Sequence, residues 1–336
     1  MTQTLFSRRL LLSATGVVLT VPGMSFPAFA AGKQITVKGF DAQGHRIDVT
    51  VPFNPERVAV NDLSVMDTLQ QWNLLDRVAI GADTKSLRYL PALPASVKKL
   101  PKSLKDPQFE DIAAVKPEIT FISGRLARLQ ADFAKQGPVL NLAPNYAYGA
   151  LKSYEDNLLT LGEIFGKADL AKAAIADTQK RVAAISAKAK GKSCAVLMLV
   201  GGRMAILPPK GRCALISDEF GFTNVEPPRT GEAPKKRTPG PKPTAEELRA
   251  MNAKTMAKLA KLNPDYVFVL NKDLAVSVPN PVTLETIVAG NADWQALSAL
   301  KAKRMVQLTH SAWYLGEGGV KSMDVILKDI ESALGL

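Results

Sequence analysis

Three stretches of the chain share one rhythm: an apolar, β-branched run, a polar turn, then a segment with helical spacing. Arg57-Val58-Ala59-Val60 leads through Asn61-Asp62 into the amphipathic Leu63–Trp72. Val78-Ala79-Ile80-Gly81 and Glu118-Ile119-Thr120-Phe121-Ile122 behave alike. Short apolar runs separated by helix-length segments predict βαβ units and a parallel sheet. This is a first lobe, residues 31–150.

Two helical stretches follow. Tyr154–Phe165 stops at Gly166, a residue suited to ending a helix because it tolerates a left-handed backbone. Asp169 is placed to cap a second helix reaching about Lys188, with Leu170, Ala174, Val182 and Ile185 on one face. A helix of about 20 residues extends about 30 Å, the width of a small domain. Between two α/β halves it reads as a rigid spacer, so residues 151–190 are assigned to linker helices.

The second lobe, 191–336, opens with Ala195-Val196-Leu197-Met198-Leu199-Val200, turns at Gly201-Gly202 and returns through Met204–Leu207. A helix is expected over Cys213–Phe220, ending at Gly221. Residues 226–243 carry six prolines and Lys235-Lys236-Arg237 without apolar periodicity, as an exposed loop does. Strands are expected again at Tyr266–Leu270 and Arg304–Leu308, and a last helix at Lys321–Leu334. The fold class predicted is α/β: two Rossmann-like lobes with mainly parallel sheets, joined by a long rigid helix.

The first thirty residues follow another logic. Arg8 and Arg9 precede an apolar run that closes on Ala28-Phe29-Ala30, the pattern of an export signal of the twin-arginine type, cleaved after Ala30. Pro22 interrupts the run, which falls short of the roughly 20 apolar residues of a membrane span. No cysteine lies near the cleavage site for a lipid. The expected location is the periplasm. The formal charge of +12 becomes about +10 without Arg8 and Arg9. An exported basic protein has anionic small ligands as better partners than nucleic acid.

Cys194 and Cys213 are the only cysteines, and either a disulfide closing a short loop or two buried thiols fits them. The two histidines, His45 and His310, are too far apart in sequence to suggest a zinc or copper site, and no metal-ligating set is expected. A G-x-S-x-G elbow, a P-loop and an H-E-x-x-H motif are all lacking from the sequence. A cleft without a nucleophile or base reads as a binding site, not an enzyme.

In open α/β sheets ligands bind beyond the carboxyl ends of the strands. Arg125 follows the strand 118–122 through Ser123-Gly124, Lys272 follows 266–270 through Asn271, and Trp313 and Tyr314 follow 304–308. Arg212 opens the expected helix at 213, where the helix dipole disfavours a cation and so suggests a partner anion. Each cation alone fits a solvated surface charge; three at equivalent positions read as a cleft. Trp313 and Tyr314 also fit as core aromatics, but their Gly-rich loop, 312–319, tilts them toward a ligand wall.

These residues resemble a family. Asn54-Pro55-Glu56-Arg57-Val58-Ala59-Val60, the segment Phe109–Glu118, Glu219-Phe220-Gly221-Phe222-Thr223-Asn224, Leu262-Asn263-Pro264-Asp265 and Trp313-Tyr314-Leu315 occur in the order and spacing of periplasmic substrate-binding proteins of ABC importers for ferric siderophores, vitamin B12 and haem. The likeness is greatest to the binders of catecholate siderophores. The resemblance implies that Arg125 and Arg212 clamp an anionic ferric complex, with Lys272 in place of a third arginine. It implies no catalytic residue and no resident cofactor, the ferric siderophore being cargo. Its partners would be an inner-membrane permease and its ATPase, with the binding protein a monomer. Glu110 matches the family's first-lobe docking glutamate. The second-lobe position falls at Ala257, leaving Glu246 and Glu247 as substitutes. A haem or corrinoid cargo is the alternative within the class; a periplasmic enzyme acting on an iron chelate is the alternative outside it.

Overall fold

Residues 32–100, 106–228 and 243–336 are described by a computed structural model. The export segment 1–30 and all but the ends of the loop 226–243 lie outside the described residues. The described residues begin with an element that the periodicity reading missed, an antiparallel hairpin of β1 (Gln34–Phe40) and β2 (Arg46–Pro52). Asp41 closes its turn, Oδ1 accepting the Gln43 and His45 N–H groups at 2.8 Å each. The hairpin lies on a helix, Ala150–Ile164, whose Thr160 hydroxyl donates to the Lys38 carbonyl at 3.1 Å.

The apolar runs of the first half then build a parallel sheet from β3 (Val58–Asn61), β4 (Val78–Gly81), β5 (Lys98–Lys99), β6 (Ile119–Ile122) and β7 (Val139–Asn141). The spatial order is β5-β4-β3-β6-β7. Val58, Ala59, Val60, Phe121 and Ile122 are fully enclosed. A sheet covered on both faces demands such continuous apolar strands rather than alternation.

Ala150–Ile164 begins four residues before the expected Tyr154, at the left-handed Gly149, and ends where Gly166 turns the chain. The next helix, Ala168–Ala189, has 22 residues and extends about 33 Å. Asp169 is not its cap. The helix starts two residues early, at Ala168 after an N-cap at Lys167, whose N–H meets the Gly162 carbonyl at 2.7 Å, and this places Asp169 in its first turn.

The second sheet holds β8 (Ser193–Val200), β9 (Arg203–Leu207), β10 (Thr223–Asn224), β11 (Tyr266–Asn271) and β12 (Met305–Gln307). Its order is β10-β8-β11-β12, with β9 antiparallel to β8 through a turn in which Gly201 and Gly202 both have positive φ. That turn type requires two left-handed residues and matches strand twist. The α/β class and the two-lobed, mainly parallel architecture expected from sequence are present. The helix expected over Cys213–Phe220 is not. It shrinks to one turn, Leu215–Asp218, because Cys213 sits in the left-handed region at φ +63°. Cys194 and Cys213 are free and buried, and burial pushes the Cys194 thiol up to about 12.

The C-terminal helix, Val320–Leu334, fastens these parts together. Its N-cap, Gly319, has no side chain, and the missing acceptor comes from Asp67 on the helix Leu63–Gln71. Asp67 accepts the Lys321 N–H at 3.0 Å, the Ser322 N–H at 2.7 Å and the Ser322 hydroxyl at 2.6 Å. A Cβ at Gly319 would overlap the Asp67 carboxylate, so the close approach needs glycine. Farther along, Asp329 accepts from the Thr309 N–H, the Thr309 hydroxyl and the Trp313 indole. Arg181, on Ala168–Ala189, reaches Glu331 at 2.7 Å and Asp324 at 3.0 Å.

Asp67→Ala removes the acceptor for the first turn of that helix and should cost about 2–4 kcal/mol in urea unfolding. Burial pushes the Asp67 carboxyl up to about 6 from an ordinary value of 3.8, against the pull of Ser322 and Lys321. An acid that holds its proton more tightly when folded loses stabilising influence as pH rises between its two pKa values. The stability advantage of wild type over Asp67→Asn should therefore shrink from about pH 4 to about pH 6.

Candidate binding cleft

The carboxyl ends of both sheets meet at two adjoining hollows. The larger, of about 410 Å³, is lined by Asn61, Leu63, Leu100, Arg125, Lys272, Val276 and Tyr314, among others. The smaller, of about 240 Å³, is lined by Asp62, Ser123, Arg125, Tyr146, Arg212, Tyr314 and Glu317, among others. Arg125, Tyr314 and Leu315 belong to both. Asn61 ends β3, Ser123 and Arg125 follow β6, Tyr146 follows β7, Lys272 follows β11, and Tyr314 and Glu317 follow β12. This is where an α/β sheet exposes its strand ends to a ligand.

The two arginines converge from different halves of the chain. Arg125 Nη2 donates to the Tyr314 carbonyl at 2.9 Å, and Arg212 Nη1 donates to the Trp313 carbonyl at 3.3 Å. Both guanidinium groups lie over the Tyr314 ring, at 5.8 Å for Arg125 and 4.3 Å for Arg212. Such cation–π contacts strengthen when water is excluded. The acceptor carbonyls belong to a single π-helical turn, Ala312–Gly316, a local widening that frequently marks functional sites.

Arg212 reaches the cleft by a route other than the expected one. No helix begins beside it. It stands between Gly211 at φ +94° and Cys213 at φ +63°, in a tight left-handed turn. A buried non-glycine residue held there stores strain of the order of 1–3 kcal/mol, and such outliers cluster at ligand sites. Lys272 begins the short helix Lys272–Ala275, capped by Asn271, and faces the larger hollow with Arg125. It does not line the hollow that Arg212 lines.

Trp313 is a correction. It is fully buried, with its indole N–H on Asp329 at 2.8 Å and its ring edge-on to Phe220 at 6.4 Å. The π-turn sends Trp313 into the core and leaves Tyr314 in the cleft, so only the tyrosine walls the site. His310 accepts the Asn271 N–H on Nδ1 at 3.2 Å, and burial lowers its pKa. It lies at a separate small hollow beside Leu199 and Gln307.

Sequence reasoning missed two acids. Asp62 caps the helix Leu63–Gln71, its Oδ1 accepting from the Ser64 N–H at 2.7 Å and the Ser64 hydroxyl at 2.6 Å. Glu317 is 8% exposed; Oε2 accepts the Tyr146 hydroxyl at 2.5 Å, while Oε1 has no partner. Burial raises both carboxyls, opposed at Asp62 by Ser64, Val65 and Arg125 and at Glu317 by Tyr146, Arg212 and Arg125. Asn61 Nδ2 and Ser123 Oγ are likewise buried without partners. The cleft is therefore not the simple cationic pocket that its arginines suggest. The N-cap position of Asp62 and the Gly-rich setting of Glu317 were the available signals.

Away from the cleft, Glu110 is exposed in the first turn of Phe109–Ala114. In the second lobe Ala257 is exposed on Ala245–Leu262, and Glu246 is exposed in its first turn. Glu247 is committed instead to a capping box, taking the Thr244 N–H at 2.7 Å. Among the described residues no cluster of three His, Cys, Asp or Glu could hold a metal ion, and no helix is long and apolar enough to cross a membrane.

A family model described as periplasmic binding protein matches residues 58–312. The petrobactin-binding protein YclQ of Bacillus subtilis (strain 168) is 29% identical over 308 residues, covering 90% of this chain and 89% of that protein. The ferric-anguibactin-binding protein FatB of Vibrio anguillarum is 23% identical over 300 residues, covering 85% of each. The crystal structure of YclQ superposes with a TM-score of 0.75 at 26% identity, covering 90% of this chain and 99% of that one.

A buried Trp313 that serves packing and the Asp329 bond makes a distinct prediction. Trp313→Phe should lower stability by about 1–3 kcal/mol through the lost hydrogen bond and ring volume. The affinity of the cleft for its ligand, measured by titration calorimetry, should stay within about threefold, because an energy change smaller than RT is a factor below about 2.7 in binding.

Proposed function

Because the chain belongs to the periplasmic binding protein family, we propose that it captures a ferric siderophore in the interlobe cleft and delivers it to an inner-membrane ABC importer. One observation carries this reading: Arg125 and Arg212, from different lobes, meet over Tyr314 at one hollow. Guanidinium groups suit catecholate and carboxylate oxygens, whose paired acceptors match the fork. Lys272 adds a third cation at the neighbouring hollow, as a point charge without the fork. Two relatives, YclQ and FatB, bear the names of siderophores.

The route to that role is export through the Arg8-Arg9 signal and work in the periplasm as a monomer, with a permease and its ATPase as partners. Haem and corrinoid cargoes draw less support, since His310 faces another hollow and is held to the Asn271 backbone. The function is binding, and the cleft groups orient cargo rather than transform it.

Charge-assisted hydrogen bonds contribute about 1.5–3 kcal/mol each, so Arg125→Ala and Arg212→Ala should each weaken binding by about 10–150-fold without unfolding the protein. Tryptophan-fluorescence titration against ferric catecholate, ferric hydroxamate, haem and cobalamin reads both the preference and the loss. Unchanged affinity in both variants, or a preference for cobalamin, would overturn the reading.

Docking is the second test. Glu110 is the exposed carboxylate that the first lobe offers to the importer, and Glu246 is its counterpart in the second, since Glu247 is held in the capping box. Exposed pairs contribute only about 0–1 kcal/mol, but a pair desolvated at an interface contributes more. Glu110→Lys should abolish iron uptake in cells while leaving ligand binding intact. Full uptake by this variant would remove Glu110 from the docking surface.

A further inference from the structure

Glu317 is a buried acid in a hollow that the proposed cargo must enter as an anion. Its Oε2 is taken by Tyr146, and its Oε1 is enclosed without any protein partner. Buried polar atoms are nearly always paired, so an orphan at the wall of a cleft marks a place for a ligand atom. The groups that face it come from every side of the hollow: Tyr146 after β7, Arg125 after β6, Asp62 at the start of Leu63–Gln71, and Arg212 and Cys213 in the left-handed turn.

With both acids ionised, Asp62 and Glu317 offset Arg125 and Arg212, and an arriving anion would add charge beside two carboxylates. One of them has to yield. Asp62 has three donors on one oxygen, the Ser64 N–H, the Ser64 hydroxyl and the Val65 N–H, which favour its anion against the burial that raises it. Glu317 receives one donor, from a phenol. It is the acid with less to lose.

We propose that Glu317 is a specificity-determining residue that binds cargo as a neutral acid. As an anionic chelate oxygen settles between Arg125 and Arg212, the Glu317 carboxylate takes one proton from solvent onto Oε1 and donates it in a hydrogen bond to that oxygen. The direction of its pKa agrees, since burial already favours the protonated form. Cargo must then present a bare acceptor oxygen at this point: catecholate, hydroxamate or carboxylate. A cargo that presents only an N–H there meets donor against donor and is rejected. The inference rests on the reading of the cleft as a site for an anionic chelate.

The test is titration calorimetry of the mature chain with the ferric tris-catecholate complex in buffers of different ionisation enthalpy, from about pH 6.5 to about pH 8.5. Wild type should take up about one proton per ligand at the pH where uptake is greatest, with affinity falling by up to about tenfold per pH unit above that point. Glu317→Gln keeps a donor but has no proton to gain. It should bind with affinity nearly flat in pH relative to wild type, and any uptake that remains belongs to the ligand or to other groups. Glu317→Leu, which can neither donate nor titrate, should bind about 10-fold or more weakly than Glu317→Gln. Equal proton uptake by wild type and Glu317→Gln would overturn the inference and leave the functional reading standing. Failure of wild type to bind the complex at any pH would overturn both.

Discussion

The cleft depends on a carboxylate that never touches it. Asp67, on the first helix of lobe one, stands in for the absent N-cap side chain of the C-terminal helix, with three donors on its two oxygens. A helix start left without such an acceptor exposes several unpaired N–H groups, which are costly when buried. The contact is possible because Gly319 has no Cβ to displace Asp67. At the other end Asp329 ties Thr309 and Trp313 to the same helix. The segment from 312 to 319 is thus pinned on both sides, once to each lobe's framework, and it carries Tyr314 and Glu317. A site on a loop gains the positional accuracy of a helix when both loop ends are fixed in this way.

That fixed segment sets the electrostatics of the cleft. The π-turn offers its Trp313 and Tyr314 carbonyls to Arg212 and Arg125, so the backbone aims both guanidinium groups. Tyr314 supplies a ring beneath them, and Glu317 an acid beside them. The net result is a hollow with strong local fields and a small net charge. Such a site discriminates by the placement of donors and acceptors rather than by bulk attraction, and desolvated groups left unmatched are what reject the wrong ligand.

The sheets were legible because their strands are continuous apolar runs. Val58–Asn61, Ile119–Ile122 and Tyr266–Asn271 fall where the runs predict them, bounded by polar turns. From the strand ends alone, Arg125, Lys272 and Tyr314 could be nominated. The hairpin β1–β2 was missed although Ile35, Val37, Val49 and Val51 alternate in the strand period, because it lies outside the βαβ rhythm. Trp313 and Tyr314 could not be separated, since a π-turn shifts which neighbour faces the core and leaves no mark in residue spacing. Arg212 was found for an incorrect reason. A helix start was inferred where a left-handed Cys213 makes a turn, and a β-carbon-bearing residue there is chosen by tertiary contacts, not by propensity. Glu317 and Asp62 were passed over because single acids have no periodicity, and an N-cap position or a Gly-rich setting does not tell a buried acid from an exposed one.

Cargo capture in this framework is an exchange rather than an addition. Arg125 already donates across the lobes to the Tyr314 carbonyl, and Arg212 to that of Trp313. An anion that draws either guanidinium toward itself leaves a carbonyl behind, so the net gain per arginine is the difference between a charged and a neutral acceptor. That difference favours the anion, because a full negative charge attracts a guanidinium more strongly than a carbonyl dipole does. The helix Ala168–Ala189 is itself clamped to the C-terminal helix through Arg181, Glu331 and Asp324, a buttress that resists a hinge at its middle. Asp324 is held well below the ordinary carboxylate range, at about 2: burial alone would raise it, and Lys321, Lys328 and Arg181 together overcome that effect. The clamp therefore persists above about pH 4, since a depressed acid loses its contribution only as pH falls from its unfolded value toward its folded one. Selectivity is left to the side chains around Tyr314, where the two lobes' arginines meet.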